Sequence, residues 1–369
     1  MAANWFDIAN TDAIDTPALV IYPERVQYNI DLLKTMIDDV ARLRPHVKTH
    51  KSPQVSQLMI QAGITKFKCA TIAEAEMLGQ CKAPDVLLAY QPNDPKLHRF
   101  IELIKAYPDT AFSCLVDNMA SAKAISKQGV ANGLLIDVFI DLNVGMNRTG
   151  IAPAKAFALY QQVASLPSLT LKGLHAYDGH IHDHDYNERQ LKLIGYMQQV
   201  LGLIEQIKKA GYPQPVLIAG GSPTFSILAK FPQLECSPGT FVYWDKGYQT
   251  AFEEQPFKTA ALILGRVVSL PDDGKICIDI GHKSVSAENE LNKRIYFLNA
   301  PDLKLIGQSE EHLVADGGRD YQFKVGDILY GLPHHICPTV ALYERAIAIE
   351  NGVPISEWFN TARDRKINI

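Results

Sequence analysis

"KFKCATIAEAEMLGQCKAPDVLLAY" (Lys66–Tyr90) holds a short apolar run, a stretch with apolar residues at three- and four-residue steps, and a second apolar run. The outer runs have strand length and the middle one has helical spacing. A strand, a helix and a strand of this size make one parallel βαβ unit. The alternation continues on both sides. Further strand candidates are "ALVIY" (18–22), "RPHVKTH" (44–50), "AFSCLV" (111–116), "LLIDVFIDLN" (134–143), "LTLKGLHAY" (169–177), "PVLIAGG" (215–221) and "QLECSPGTFVY" (233–243). Helical segments such as "NMASAKAISKQG" (118–129) and "ERQLKLIGYMQQVLGLIEQIKKAG" (188–211) lie between them and often end in glycine. About eight such units is the count of a (β/α)8 TIM-type barrel.

Beyond residue 250 the texture changes. "TAALILGRVVSLPDDGKICIDIG" (259–281) reads as two strands around an Asp-Gly turn, and few helical patterns follow. The expected organisation is an α/β barrel over 16–248 and a C-terminal, mostly antiparallel β domain over 249–369, joined by residues 1–15. The strand "TPALVIY" fits either unit.

Bulk composition excludes several classes of partner. The chain has 369 residues, 47 % apolar and 21 % charged, with a net charge of −4. No Lys/Arg-dense tract points to nucleic acid. No apolar run approaches the roughly 20 residues of a membrane span, and the polar N-terminus lacks a signal-peptide core. Cys69, Cys81, Cys114, Cys236, Cys277 and Cys337 show no paired spacing, which fits a reducing, cytoplasmic location better than a disulfide framework.

In a barrel the chemistry collects just past the strand ends. Lys48, between His46 and His50, is either a solvated loop lysine or an amine able to form a Schiff base. "IAGGSPT" (218–224) and "SPGTF" (237–241) follow the last two barrel strands. Their small residues leave backbone N–H groups open to an anion such as phosphate, with Ser222, Thr224 and Thr240 as hydroxyl donors; the alternative is a pair of tight turns. Arg148, in "LNVGMNRTGI" (142–151), is a surface arginine or a planar fork for a phenolate or carboxylate. "GLHAYDGHIHDHD" (173–185) is a polar loop, an acid/base centre or a metal cluster, with His175 and Tyr177 sharing a strand face. In "LPHHICPT" (332–339), His335 and Cys337 on an extended segment would point to the same side. They could hold an ion, with thiolate plus imidazole favouring zinc, or be a buried thiol beside an incidental histidine.

In this order, "RPHVKTHKS", "VGMNRTG", "GLHAYDGH", "AGGSPT" and "HHICPT" resemble the metal-dependent pyridoxal-phosphate enzymes of the D-threonine aldolase and D-serine dehydratase family, which share the alanine-racemase-type barrel. The resemblance runs from "DTPALVIY" to "CPTVALYE". It implies a lyase acting on small D-3-hydroxy amino acids, with pyridoxal 5'-phosphate and a divalent metal, zinc ahead of manganese. It implies that Lys48 carries the cofactor, that Arg148 lies by its phenolic oxygen and that Tyr177 lies by its pyridine ring. Phosphate would be held by Gly220, Gly221, Ser222, Thr224, Gly239 and Thr240. His335 and Cys337 would be the metal ligands, and His182 or His180 the base of the aldol reaction. Relatives form head-to-tail homodimers, which sets the same expectation here. Two other readings stay open: a metal-independent amino acid racemase of the same fold, and a non-catalytic pyridoxal-phosphate-binding protein.

Overall fold

The computed structural model describes residues 4–272, 274–318 and 322–369. By internal packing they fall into two compact units. One comprises Leu33–Lys48, Ser56–Gly239 and Asp364–Ile369. The other comprises Met1–Leu32, Thr49–Val55 and Thr240–Arg363.

The first strand, β1 (Ala18–Ile21), belongs to the second unit. The first unit contains a seven-stranded, wholly parallel sheet in sequence order: β2 (Lys66–Cys69), β3 (Asp85–Leu88), β4 (Ala111–Val116), β5 (Ile136–Asp141), β6 (Leu169–Ala176), β7 (Val216–Ala219) and β8 (Leu234–Cys236). Helices lie between successive strands. Their starts follow local chemistry: Thr71 Oγ1 accepts from Glu74 N at 3.1 Å ahead of Ile72–Gln80, and Asp185 accepts from Glu188 N at 2.9 Å ahead of Tyr186–Lys209.

Residues 43–47 supply the eighth stave. Leu43 bridges Cys236 and His46 bridges Lys68, both in parallel. On one side Arg44 N donates to Cys236 O (2.8 Å) and His46 N to Pro238 O (3.0 Å). On the other, Lys68 N donates to Pro45 O (2.8 Å) and Val47 N to Lys68 O (2.9 Å). The expected eight-fold alternation therefore closes into a ring, but through a segment that Pro45 keeps from being a regular strand, since proline brings no N–H to the ladder. Leu87, Leu115, Phe139 and Ile218 meet inside the ring. At about 1.5–3 kcal/mol for each fully buried side chain of this size, they form a solid floor beneath the strand ends.

The second unit is built on a nine-stranded sheet. Its strands are β1, β9 (Ala261–Asp272), β10 (Lys275–Ile278), β11 (Ile295–Phe297), β12 (Lys304–Gln308), β13 (Leu313–Asp316), β14 (Ile328–Pro333), β15 (Arg345–Glu350) and β16 (Val353–Phe359). All pairings are antiparallel except β1 with β15. The strands expected around the Asp-Gly turn are β9 and β10; Asp273 of that turn lies outside the described residues. Val20, Tyr22, Leu262, Leu264 and Leu332 form the core of this sheet. No helix among the described residues is long and apolar enough to cross a membrane.

Candidate active site

Strand alternation decides what faces the barrel interior. On the closing segment His46 and Lys48 share a face, as do Lys68 on β2 and Ala70 just past its end. All four line a cavity of about 380 Å³ with Tyr90, Gln91, Asp141, Arg148, His175 and Tyr177. Three cations surround one aromatic ring here. Lys68 Nζ lies 5.3 Å, Arg148 Cζ 5.3 Å and Lys48 Nζ 6.0 Å from the Tyr177 ring centroid. Lys48 is half-buried, whereas Arg148 reaches the cavity from an exposed loop.

The β5–β6 register sets Asp141 beside His175, and Asp141 Oδ1 lies 2.7 Å from His175 Nδ1. Burial would raise the Asp141 pKa, but the hydrogen bond and charge of His175, with bonds from Thr149 and Gln91, hold it below the usual carboxylate range. Burial lowers that of His175, against the pull of Asp141. His175 Nε2 is buried and unpartnered. Asp178 is pushed up to about 6 by burial, against hydrogen bonds with Thr224 and Tyr196.

The two small-residue turns meet. Gly239 N donates to Ser222 Oγ (3.1 Å), and Gly221 N lies 3.4 Å from Thr224 Oγ1. Gly220 sits at φ 77°, where a Cβ would come within 2.5 Å of Leu228 Cδ1; at Gly221 a Cβ would come within 3.2 Å of Tyr177 Cε2. Gly220, Gly221, Ser222, Thr224 and Gly239 thus form one buried cradle against Tyr177. The Thr240 hydroxyl is turned elsewhere, 3.7 Å from the Cys337 thiol.

His180 and His182 separate clearly. His182 is exposed. His180 is half-buried, its Nδ1 unpartnered, and its Nε2 lies against Gly145, leaving 2.5 Å to a Cβ built there. Burial, then the charges of His182 and Lys192, lower the His180 pKa.

The segment carrying His335 and Cys337 is not extended as expected. It turns helical over Ile336–Val340, with Ile336 N donating to a buried Asp245 Oδ2 at 3.0 Å. His335 stands just before the helix, and its ring still hydrogen-bonds the Cys337 side chain. Its Nδ1 faces the Glu288 carboxylate. Burial lowers the His335 pKa, but Cys337, Glu288 and Asp245 together raise it to about 9. The Cys337 thiol lies 3.1 Å from the hydroxyl of Thr49, the residue after Lys48. Among the described residues no three His, Cys, Asp or Glu side chains form a ready metal cluster.

Sequence reasoning missed Lys68 and Glu288 as members of these sites. A lysine inside "KFKCAT", a strand buried on both faces, was the available clue for Lys68. Glu288 lies far along the chain in a loop, and no pattern marks it.

A family model for the alanine racemase N-terminal domain matches residues 21–246, and one for a serine dehydratase domain matches residues 260–349. The chain is 26 % identical to D-threonine aldolase of Arthrobacter sp. over 359 residues, covering 95 % of this chain and 93 % of that one. It is 26 % identical to D-threo-3-hydroxyaspartate dehydratase of Delftia sp. over 377 residues, covering 94 % and 97 %. A dehydratase of that name has been solved as a cysteine-to-alanine variant in the metal-free form, at TM-score 0.83, 25 % identity and coverage of 94 % and 98 %. The structure of D-threonine aldolase from Filomicrobium marinum superposes at TM-score 0.88 with 24 % identity, covering 98 % of this chain and 99 % of that one. The fold is therefore alanine-racemase-like, and the chain belongs to the alanine racemase N-terminal domain family, continued by a serine dehydratase-type domain.

Proposed function

We propose that this chain is a pyridoxal-phosphate- and metal-dependent lyase acting on D-3-hydroxy amino acids. One observation carries the reading: Lys48, Lys68 and Arg148 converge on Tyr177 in a single cavity, while Thr49, next in the chain to Lys48, meets the Cys337 thiol. The full-length relatives named as an aldolase and a dehydratase support the same class.

The wall suits a planar, polyanionic aldehyde. It offers Lys48, Lys68 and Arg148 against the already bonded Asp141, with the buried, unpartnered His175 Nε2 in its lining, and Tyr177 joins it to the Gly220–Gly221 turn. Pyridoxal phosphate, when bound, supplies an electron sink for the bond broken at Cα. Lys48 provides the primary amine for attachment and, once released, a base for the Cα proton. Arg148 offers its planar fork to the phenolic oxygen, and Tyr177 its ring to the pyridine. The turns carrying Gly220, Gly221, Ser222, Thr224 and Gly239, with the hydroxyls of Ser222 and Thr224, serve the phosphate; the Thr240 hydroxyl, which faces Cys337, takes no part.

His335 and Cys337 suit a divalent ion, zinc ahead of manganese on the strength of the thiolate. Glu288 at the other imidazole nitrogen is the usual orienting partner of a metal-bound histidine. Such an ion supplies Lewis acidity toward a β-oxygen. Half-buried His180, rather than exposed His182, is the side chain assigned the β-hydroxyl proton in this reading.

Incubation with D-threonine separates the two lyase reactions. Glycine with acetaldehyde marks cleavage of Cα–Cβ, and 2-oxobutanoate with ammonia marks dehydration. Chelation should abolish either; full activity after metal-free dialysis would remove the role given to His335 and Cys337. Racemisation of D-alanine by metal-free protein would instead favour a racemase, and stoichiometric cofactor uptake without turnover a binding protein. The same reading carries a homodimer, measurable by sedimentation.

A further inference from the structure

Asp245 is a carboxylate that these roles leave unassigned, and it is 1 % exposed. Its two oxygens serve two backbone segments. Oδ1 accepts from Tyr248 N at 2.9 Å, and Oδ2 accepts from Ile336 N at 3.0 Å. Ile336 lies between His335 and Cys337. Gly247 N donates to His334 O at 3.1 Å, and a Cβ built at Gly247 would come within 2.6 Å of that oxygen. The residue before Asp245 is held in an unusual turn. Trp244 has a left-handed φ of 47°, rare for a bulky side chain. Its buried ring lies 5.6 Å from that of Tyr248 and 5.0 Å from that of Phe257, centroid to centroid. Across the turn, Thr339 Oγ1 donates to His335 O (2.9 Å) and accepts from Ser286 N (3.1 Å), two residues from Glu288.

We infer that Asp245 is a positioning residue for the metal-ligand pair: it clamps the point where the chain turns from extended to helical, so that His335 and Cys337 address one ion together. The inference rests on the ligand role given to those two residues. Side chains two residues apart in a regular helix point about 200° away from each other. His335 and Cys337 nonetheless meet, because His335 is extended (φ −135°, ψ 103°) and the helix begins at Ile336. The first N–H groups of a helix have no partner within it, and Asp245 takes the one at Ile336. A buried carboxylate is costly unless it is hydrogen-bonded, and here both oxygens are used. An asparagine in this place would have one acceptor oxygen and would set an N–H against the other amide.

The test uses the full-length chain freed of metal. Cobalt(II) is added alone and its thiolate charge-transfer absorbance followed, and zinc affinity is then measured by competition with a chromophoric chelator. The native chain should give a thiolate band that Cys337→Ser removes. Asp245→Ala should weaken zinc binding by about 10–100-fold in protein that still unfolds cooperatively. Asp245→Asn, with one acceptor left, should fall between the two. If the alanine variant does not fold, Asp245→Asn and Gly247→Ala, which crowds the His334 carbonyl, carry the comparison. Native zinc affinity in the folded variants overturns the inference and spares the ligand reading. A native chain without the thiolate band, or a band that survives Cys337→Ser, removes the ligand reading itself and the inference with it.

Discussion

Arg44 and Lys68 stand on neighbouring barrel segments, are each 2 % exposed, and are treated in opposite ways. The Arg44 fork meets Asp85 at 2.6 and 2.9 Å and Glu235 at 2.7 Å, and Lys66 also pairs with Glu235. Among the described residues Lys68 has no carboxylate within ion-pair distance. Burial pushes both cations toward neutrality; for Arg44 the carboxylates more than reverse it, and for Lys68 they do not. The paired cluster lies toward the N-terminal ends of the strands and the unpaired cation opens on the cavity above. A buried charge with partners holds a structure together. One without partners is costly, and such groups collect where chemistry is done.

The contrast can be broken at several points. The largest effect belongs to Lys48→Ala, which should eliminate the borohydride-reducible adduct and reduce turnover by more than about 1,000-fold; a variant that stays yellow and reducible would sink the assignment. Arg44→Met strips Asp85 and Glu235 of their shared partner and should lower stability by about 3–5 kcal/mol in chemical denaturation, leaving the adduct spectrum of the folded fraction unchanged. His180→Asn should slow aldol cleavage about 100-fold.

Lys68→Met should do the reverse of Arg44→Met and stabilise the protein by about 2 kcal/mol near pH 6. The sign follows from linkage: the folded pKa of about 7 lies below the ordinary lysine value of 10.5. Stability from this group is therefore present above pH 10.5 and lost as pH falls through 7. The advantage of the methionine variant should fade on approach to pH 10.5, and a pH-independent gain would mean that packing, not charge, was responsible. His182→Asn should change rates less than about twofold, as expected of a solvated side chain.

The βαβ alternation from Lys66 onward was legible because apolar spacing and glycine stops agree along each unit. Two placements were not. β1 reads like any barrel strand, and only its pairing with β9 and β15 assigns it to the other sheet; no local feature encodes a partner more than 200 residues away. His335–Cys337 reads as an extended segment, yet proline is tolerated in the first turn of a helix, so Pro338 permits one, and Asp245 accepts the Ile336 N–H there. Lys48, Arg148, Tyr177 and the glycine turns announce themselves by following strands. Lys68 hides inside one, and its exposure to the cavity depends on a register that spacing alone does not supply.

The stave at residues 43–47 has one more consequence. It covers the open edges of β2 and β8 simultaneously, and Lys48 begins where its hydrogen bonding stops. Loosening this seam to retune the reaction would bare two unsatisfied rows of N–H and C=O groups, which recruit other chains. Variants crowded around Lys48 are then selected first by self-association and only afterwards by catalytic performance, so an evolving enzyme of this design has more freedom to change its chemistry from the opposite wall.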